Sequence, residues 1–216
     1  MKTITRRRYR MNKQTSWFTA DSHFNHENII RLSSRPYPSV GEHDKELLEL
    51  TNEYVGKNDF LFHLGDFCWE KTEKLQILLA KDILSKIVCK NVHLIVGNHD
   101  PRTSSGQATK EFSELFRSCS NYKVLRIPHP NGYNKKCILN HYAQRSWEGM
   151  HGGTYHLYGH SHANLPDNGS LSIDVGVDSV NKIMGEYRPI SASEVCSYLS
   201  GREIKVEEET TKEDTE

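Results

Sequence analysis

Acidic, amide and imidazole side chains follow five short apolar runs of this 216-residue chain, each at the point where the run ends. Such side chains are oxygen and nitrogen ligands for divalent transition metals, and imidazole is the commonest of them. Histidine is also frequent, with 12 residues in the chain. The polar residues that follow the five runs are Asp21 and His23, Asp66, Asn98 with His99 and Asp100, His141, and His160 with His162.

These residues meet at one place if the apolar runs are strands of an α/β protein. In such folds ligands bind where the carboxyl ends of the strands meet at one edge of the sheet. Strand residues two apart point to the same face, so Asp21 and His23 can reach one centre. The same spacing directs His160 and His162 into one cleft. The sequence therefore predicts a single site assembled from several strand ends.

The number and the types of these side chains predict a site for two metal ions. Seven ligands are too many for one tetrahedral zinc, and they suit two divalent ions about 3.5–4 Å apart that share a carboxylate. The mixture of carboxylate, amide and imidazole favours transition metals over Mg or Ca. We expect Mn²⁺, with Fe, Zn, Co or Ni as alternatives. The predicted ligands are Asp21, His23, Asp66, Asn98, His141, His160 and His162.

Strand and helix patterns alternate along the chain, which favours α/β layers over a helical bundle or a β-sandwich. Apolar runs predict strands over residues 17–20, 60–64, 92–96, 137–139, 155–158 and 171–175. Amphipathic spacing predicts helices over residues 42–55, 71–87 and, less clearly, 108–117. Their apolar faces comprise Leu47, Leu50, Tyr54 and Val55 in the first helix and Leu75, Leu78, Leu79 and Ile83 in the second. Ser191 or Ser193 can cap a last helix that ends at Gly201.

The series D-x-H, G-D, G-N-H-D, H and G-H-x-H, in this order, resembles the signature of the calcineurin-like metallophosphoesterases. The five elements begin at Asp21, Gly65, Gly97, His141 and Gly159. The likeness extends over residues 19 to about 190, nearly the whole globular part of the chain. It implies a four-layer α/β/β/α sandwich that carries its metals at the edge of the sheets.

The resemblance also implies a role for each residue of the site. His99 would act as the general acid that faces the leaving-group oxygen, and Asp100 would orient the His99 ring. A hydroxide that bridges the metals would attack phosphorus, because metals lower the pKa of bound water towards about 7. One metal would be held by Asp21, His23, Asp66 and His162, and the other by Asp66, Asn98, His141 and His160.

Some branches of the family fit the motifs better than others. Residues 65–70 lack the second Asp and the Arg of the G-D-x-x-D-R-G motif of protein Ser/Thr phosphatases, and this chain has G-N-H-D in place of their G-N-H-E. Cyclic-nucleotide phosphodiesterases share G-N-H-D and are of similar size. Small stand-alone phosphoesterases of bacteria and phages are more similar still. Their shared motifs correspond here to residues 21–30, 35–36, 63–67, 175–178 and 187–191.

Four residues are predicted to contact the substrate, and each has a structural alternative: His26, Asn28, Arg35 and Arg145. The first two either bind phosphate beside the first metal or begin a helix. The two arginines either clamp a phosphate with both nitrogens or form surface salt bridges. Near His141, Tyr142 and Trp147 either stack on a base or pack in the core.

Composition narrows the class of protein and its surroundings. No apolar run approaches the roughly 18 residues that a membrane helix needs, so we expect no membrane partner. The five cysteines contain no C-x-x-C pair, and the basic start lacks an apolar signal core; both favour the cytoplasm. Because 28 basic residues balance 28 acidic ones, bulk charge predicts no polyanionic partner.

The chain divides into a core with two charged ends. Residues 1–14 form a basic N-terminal tail, whose RRRYR cluster either contacts nucleic acid or is simply frayed. Residues 15–202 form a single metallophosphoesterase domain. Residues 203–216 carry seven acids and two lysines and are predicted to be a disordered tail.

The predicted function is dimetal-dependent hydrolysis of a phosphodiester, such as a cyclic nucleotide or a nucleic acid. A phosphomonoesterase that acts on a small metabolite is the alternative. A non-catalytic binding scaffold of the same fold is less favoured, because His99 and all seven ligands are present. The sequence leaves the natural substrate and the oligomeric state open.

Overall fold

The structure is a computed structural model that describes residues 14–213, with side chains described for residues 14–202. Residues 1–13 of the predicted basic tail and 214–216 of the acidic one lie outside this part, so the division into tails and domain stays a prediction. No helix in the described part has the length and apolar character needed to cross a membrane.

A five-stranded sheet carries three of the predicted motifs. Its strands are β1 (Ser16–Thr19), β2 (Phe60–His63), β3 (Asn91–Ile95), β4 (Ser118–Ser120) and β9 (Ile190–Ser191), in the order β4-β3-β2-β1-β9. β1 to β4 are parallel, and β9 runs antiparallel to β1. The register pairs Thr19 with His63 and His63 with Leu94. Three strands therefore end level, and the loops that follow them emerge at the same edge.

A four-stranded sheet carries the remaining two motifs. Its strands are β5 (Tyr122–Pro128), β6 (Asn134–Asn140), β7 (Tyr155–Tyr158) and β8 (Ser172–Asp174), in sequence order. β6, β7 and β8 are parallel. These strands end side by side, with His141 directly after β6 and the G-H-x-H loop directly after β7. The Gly159 backbone amide donates to the His141 carbonyl at 2.9 Å. The Asp21 carboxylate accepts from the His160 amide, which joins the ends of the two sheets.

Helices cover the sheets, and two hydrophobic clusters hold the layers together. The helices are α1 (Glu27–Leu32), α2 (Val40–Tyr54), α3 (Glu73–Lys86), α4 (Lys110–Ser113), α5 (Val177–Met184) and α6 (Ala192–Glu213). In β1, Phe18 joins the cluster that includes Leu157 and α6, whereas Trp17 joins the cluster that includes α2 and α3. This alternation follows from the two-residue period of a strand. The predicted α/β/β/α arrangement is confirmed.

Of the predicted helix over residues 108–117, only the single turn α4 forms. Two details of the longer predicted helices are also wrong. In α3, Leu75 and Leu78 are 48% and 54% exposed, whereas Gln76 is buried. The Gln76 amide donates to the carbonyl oxygens of Cys68 at 2.6 Å and His99 at 2.7 Å, which satisfies its polar atoms inside the protein. A pattern of apolar residues cannot anticipate a buried glutamine. The second error concerns the end of α6, which continues past Gly201 to Glu213.

The start of α6 follows the sequence prediction. The Ser191 hydroxyl accepts from the Glu194 amide at 3.2 Å, and the Glu194 carboxylate accepts from the Ser191 amide at 2.9 Å. This reciprocal pair is a capping box, which satisfies two amides that the first turn leaves unpaired. Of the two predicted caps, Ser191 is therefore the one that begins the helix.

Candidate metal centre

Two groups of ligand atoms lie at the edge where both sheets end. In each group the ligand atoms are within 4.8 Å of one another; the groups are Asp21, His23 and His162, and Asp66, His141 and His160. Asn98 joins the second group, because its Oδ1 lies 3.0 Å from His141 Nε2. The structure thus brings together all seven predicted ligands.

One oxygen of Asp66 lies between the two groups. Asp66 Oδ2 is 3.6 Å from His23 Nε2 on one side and 3.5 Å from His141 Nε2 on the other. The other oxygen, Oδ1, accepts from the His99 amide at 2.8 Å, which fixes the orientation of the carboxylate. This geometry is the one expected of a carboxylate shared by two ions.

The backbone at the site adopts a conformation that side chains usually avoid. Non-glycine residues with positive φ are uncommon and cost about 1–3 kcal/mol each, and they cluster at functional sites. Here they occur where the chain turns sharply after a strand. The predicted ligands with positive φ are Asp21 (56°), His23 (49°), Asp66 (56°), His160 (66°) and His162 (46°).

Two glycines let ligand side chains lie directly against the backbone. A Cβ at Gly97 would be 2.3 Å from Asp66 Oδ1, and a Cβ at Gly65 would be 2.5 Å from His141 Nδ1. Both separations are far below contact distance, so any side chain would displace the ligand. Packing therefore requires both glycines, and Gly65 is required by its left-handed backbone as well, with φ of 96°.

Hydrogen bonds select the ring nitrogen that each of two histidines offers to the site. His141 Nδ1 donates to the Leu64 carbonyl at 2.6 Å, which leaves Nε2 facing Asp66. His162 Nδ1 donates to the Asp178 carboxylate at 2.7 Å, which leaves its Nε2 available in the same way. Metal-binding histidines are commonly oriented by such a second contact.

The donor set fits divalent transition metals. His23 Nε2 is buried and has no hydrogen-bond partner in the described part of the chain. Its 3.6 Å separation from Asp66 is too long for a hydrogen bond. A buried, unpaired imidazole nitrogen beside carboxylates is costly unless a cation binds there. Carboxylate, amide and imidazole together suit Mn, Fe, Co or Zn.

Burial and charge shift the pKa values of these groups in opposite directions. Burial raises the pKa of Asp21 to about 8 and lowers the pKa of His23 to about 2. Burial disfavours the charged forms of Asp66 and His141 as well, but their mutual attraction outweighs it. The pKa of Asp66 is therefore held well below its usual range, and that of His141 is raised to about 9. Cations that bind here would displace the protons on Asp21 and His141.

Comparison with known proteins identifies the family. A family model described as calcineurin-like phosphoesterase matches residues 15–182. The chain belongs to this family. Its chemistry is metal-dependent hydrolysis of phosphoesters, which agrees with the two groups of candidate ligands.

Similar proteins occur in an archaeon and in phages. Uncharacterized protein MJ1445 of Methanocaldococcus jannaschii is 29% identical over 195 residues, which are 88% of this chain and 93% of that protein. The Gene 66 protein of Mycobacterium phage D29 is 29% identical over 163 residues, covering 69% of this chain and 79% of its own. The Gene 66 protein of Mycobacterium phage L5 is 26% identical over 188 residues, which are 78% of this chain and 89% of that protein.

A solved structure supports the fold. The crystal structure of AQ665 from Aquifex aeolicus, described as a protein of unknown function, superposes with a TM-score of 0.58. The match covers 83% of this chain and 96% of AQ665 at 24% sequence identity. At that identity the likeness concerns the fold alone.

Within this calcineurin-like site, Asp100 holds two loops together. Its buried carboxylate accepts from the amides of Asp66 at 3.1 Å, Phe67 at 2.9 Å and Gly97 at 2.8 Å. The G-D loop and the G-N-H-D loop are thereby joined. The role that the resemblance implies for Asp100, orienting the ring of His99, is therefore wrong: its oxygens bind backbone amides.

His99 is an exposed ring on a firmly held backbone. Its amide donates to Asp66 and its carbonyl accepts from Gln76 at 2.7 Å. The ring centroid lies 5.3 Å from that of His23 and 6.3 Å from that of His26. His99 thus faces solvent beside the first group of ligands. Gln76, which was not predicted as a site residue, fixes the His99 backbone through its hydrogen bond to the His99 carbonyl.

Arg35 is not a phosphate clamp. Its side chain is fully buried and forms a bidentate ion pair with Asp178, at 2.9 and 2.8 Å. The predicted alternative, a surface salt bridge, is also wrong, because the pair is buried. Asp178 was not predicted as a site residue, although it lies in residues 175–178, one of the segments that resemble the small bacterial and phage phosphoesterases. A single sequence cannot show that residues 143 positions apart are paired.

The other predicted substrate contacts lie at the rim of the centre or on the surface. His26 Nδ1 is 3.3 Å from His23 Nδ1, and the His26 ring stacks on Trp69 at 4.9 Å. His26 begins α1 without capping it through its side chain. Asn28 and Arg145 are exposed, and their substrate contacts stay predictions.

The two aromatic residues near His141 have different surroundings. Tyr142 is 42% exposed, and its ring lies 4.7 Å from the ring of His160. Trp147 is buried, and its indole nitrogen donates to the Thr154 carbonyl at 2.7 Å. Trp147 therefore packs in the core, whereas Tyr142 lies at the rim together with His26 and Trp69.

Proposed function

We propose that this calcineurin-like phosphoesterase is a dinuclear metal-dependent phosphodiesterase. The ions, Mn²⁺ by preference, would be held by the two ligand groups, with Asn98 in the second and Asp66 in both. The observation that carries this proposal is the position of Asp66 Oδ2, about equally far from His23 Nε2 and His141 Nε2. When bound, two such ions polarise the phosphoryl oxygens and supply a nucleophile at neutral pH.

His99 is proposed to protonate the leaving oxygen. Its ring is exposed beside the first ligand group, and its backbone is fixed by Asp66 and Gln76. A positioned imidazole that transfers a proton contributes about 10²–10⁴-fold to a reaction rate. Asp100 binds backbone amides of both loops, so its proposed effect is on the position of Asp66 rather than on the proton that His99 transfers.

Two features of the rim favour a diester with a nucleoside group. Trp69 stacked on His26 and the exposed Tyr142 beside His160 present aromatic rings at the edge of the centre. Such rings stack on bases of any sequence. A monoester dianion calls instead for arginine, and the five N–H groups of Arg35 are already bonded within the protein. Arg145 remains as a candidate contact for the phosphomonoesterase alternative.

The proposal is tested with metal-stripped protein reloaded with Mn²⁺. Turnover of bis-p-nitrophenyl phosphate is compared with that of p-nitrophenyl phosphate. We expect faster turnover of the diester, and a loss of about 10²-fold or more in His99→Ala with metal content intact. His151→Ala, which alters an exposed histidine of the turn at Met150–Gly152, is the matched control and should behave as the wild type.

Other outcomes would change the assignment. Faster turnover of the monoester would favour the phosphomonoesterase. Absence of turnover with two metals bound would favour the scaffold.

A cytoplasmic location is proposed from cysteine usage, and it is supported by the free thiols of all five cysteines.

A further inference from the structure

Every hydrogen-bond donor of the Arg35 guanidinium is bonded to another atom of the protein. Nε and Nη2 donate to Asp178, and Nη2 also donates to the Asp21 carbonyl at 2.7 Å. Nη1 donates to the Ser22 carbonyl at 3.1 Å and to His43 Nε2 at 2.7 Å. A guanidinium has five N–H groups, and these five contacts use all of them. Arg35 therefore has a fixed orientation.

Asp178 passes that orientation on to a candidate metal ligand. Its Oδ2 accepts both from Arg35 Nη2 and from His162 Nδ1, the latter at 2.7 Å. The Ser33 hydroxyl also lies 3.2 Å from the same nitrogen. These contacts hold the proton on Nδ1, so that Nε2 carries the free lone pair.

The far side of Arg35 supports the D-x-H loop. Because a guanidinium cannot accept, His43 Nε2 must be the acceptor, and His43 Nδ1 then donates to Asp44 Oδ1 at 2.8 Å. Asp44 Oδ2 accepts from the Asn25 amide at 2.9 Å. The loop between Asp21 and Asn25 has positive φ at positions 21, 23 and 25. Arg35 and Asp44 thus hold a strained loop at both of its ends.

We propose that Arg35 and Asp178 are positioning residues for the first metal site alone. They hold the backbone that presents Asp21 and His23, and they set the ring nitrogen that His162 offers. Among the described residues, the structure places no hydrogen bond from this network on the side chains of the second group, which are Asp66, Asn98, His141 and His160. The inference rests on the proposed function in one respect, that the first group binds metal.

The test counts metal ions rather than turnover. Mn²⁺ is titrated by calorimetry into metal-free wild type, Arg35→Lys and Asp178→Asn. We expect two ions in the wild type. In each variant one ion should bind as before and the other about 10–100-fold more weakly, the usual effect of removing a residue that orients a metal ligand. Lysine keeps the charge of Arg35 but cannot form the paired hydrogen bonds.

A matched control separates this role from general stability. Arg188 is also buried, and it pairs through both Nη atoms with Glu194, at 3.2 and 2.9 Å. Arg188→Lys should leave both metal affinities unchanged. In a His162→Ala background, Arg35→Lys should still weaken the first site, because Arg35 also holds the Asp21 and Ser22 carbonyls.

Three results would overturn the proposal: unchanged affinities in Arg35→Lys and Asp178→Asn, equal weakening of both sites, or the same loss in Arg188→Lys. If the two main variants do not fold, Ser33→Ala removes only the second contact to His162 and should weaken the same site alone. Unchanged affinity there would equally contradict the proposal. If calorimetry finds fewer than two Mn²⁺ ions bound to the wild type, the proposed function would be contradicted instead.

Discussion

Replacing Gly97 by alanine tests whether the loop after β3 has to lie against Asp66. The added Cβ would be 2.3 Å from Asp66 Oδ1 and 2.4 Å from the Asp66 amide nitrogen. An ordinary contact begins at 3.4 Å, so the loop or the carboxylate must move by about 1 Å. Gly97 does not have a positive φ, so alanine would add no backbone strain there and the steric clash alone accounts for the expected effect.

Two magnitudes follow from that displacement. Forcing an extra carbon into a packed site costs about 1–3 kcal/mol of unfolding free energy. A shift of about 1 Å at a reacting centre costs about 10²-fold in rate. Because Asp66 is proposed to bind both ions, we expect Gly97→Ala to weaken both metal sites together. This distinguishes it from Arg35→Lys, which should affect one.

Urea unfolding, Mn²⁺ calorimetry and diester turnover measure these effects. Gly41→Ala is the matched control, because a Cβ there meets only the Ser39 hydroxyl at 4.0 Å within α2. Alanine in a helix should be neutral or stabilise by up to about 1 kcal/mol. Unchanged affinity of both metal sites in Gly97→Ala would refute the proposed contact between Gly97 and a shared ligand.

Three further predictions concern single residues. Asp66→Asn should weaken both metal sites, since the shared carboxylate loses its charge; calorimetry that finds unchanged occupancy would exclude the bridging role. Gln76→Leu should lower the unfolding free energy by about 1–3 kcal/mol, because the buried carbonyls of Cys68 and His99 lose their donor; urea unfolding should show it, and an unchanged midpoint would speak against it. His156 is buried, and burial lowers its pKa to about 4, so the unfolded state takes up a proton first as the pH falls below about 6.5. Stability should therefore fall by about 2 kcal/mol between pH 7 and pH 5 through this residue, and His156→Gln should show a correspondingly weaker pH dependence of its urea midpoint.

The sequence predicted the centre because its residues follow strands. Parallel strands end level, so Asp21, Asp66 and Asn98 could be placed together without knowledge of any contact. The same reasoning placed His141 and His160. Period located the six strands that precede or support the site, but not β4, β5 or β9. The four layers followed from the family resemblance rather than from the pattern.

Side-chain partners distant in sequence could not be predicted. Arg35 suited a phosphate clamp by residue type, and only the fold shows that Asp178, 143 positions away, neutralises it. Asp100 had a role assigned by resemblance, yet its oxygens bind three backbone amides. Gln76 occupies an apolar position of α3 because two buried carbonyls require a donor there. In each case the deciding contact depends on tertiary structure rather than on local pattern.

The proposed dinuclear centre is tested most directly by titrating Mn²⁺ into metal-stripped protein while turnover of bis-p-nitrophenyl phosphate is followed. Turnover should be absent without metal, rise with added Mn²⁺ and level off at two equivalents per chain. His151→Ala should follow the same curve, and His99→Ala should bind both ions with little turnover. Turnover that persists in the stripped protein, or that levels off at one equivalent, would contradict a two-metal phosphodiesterase.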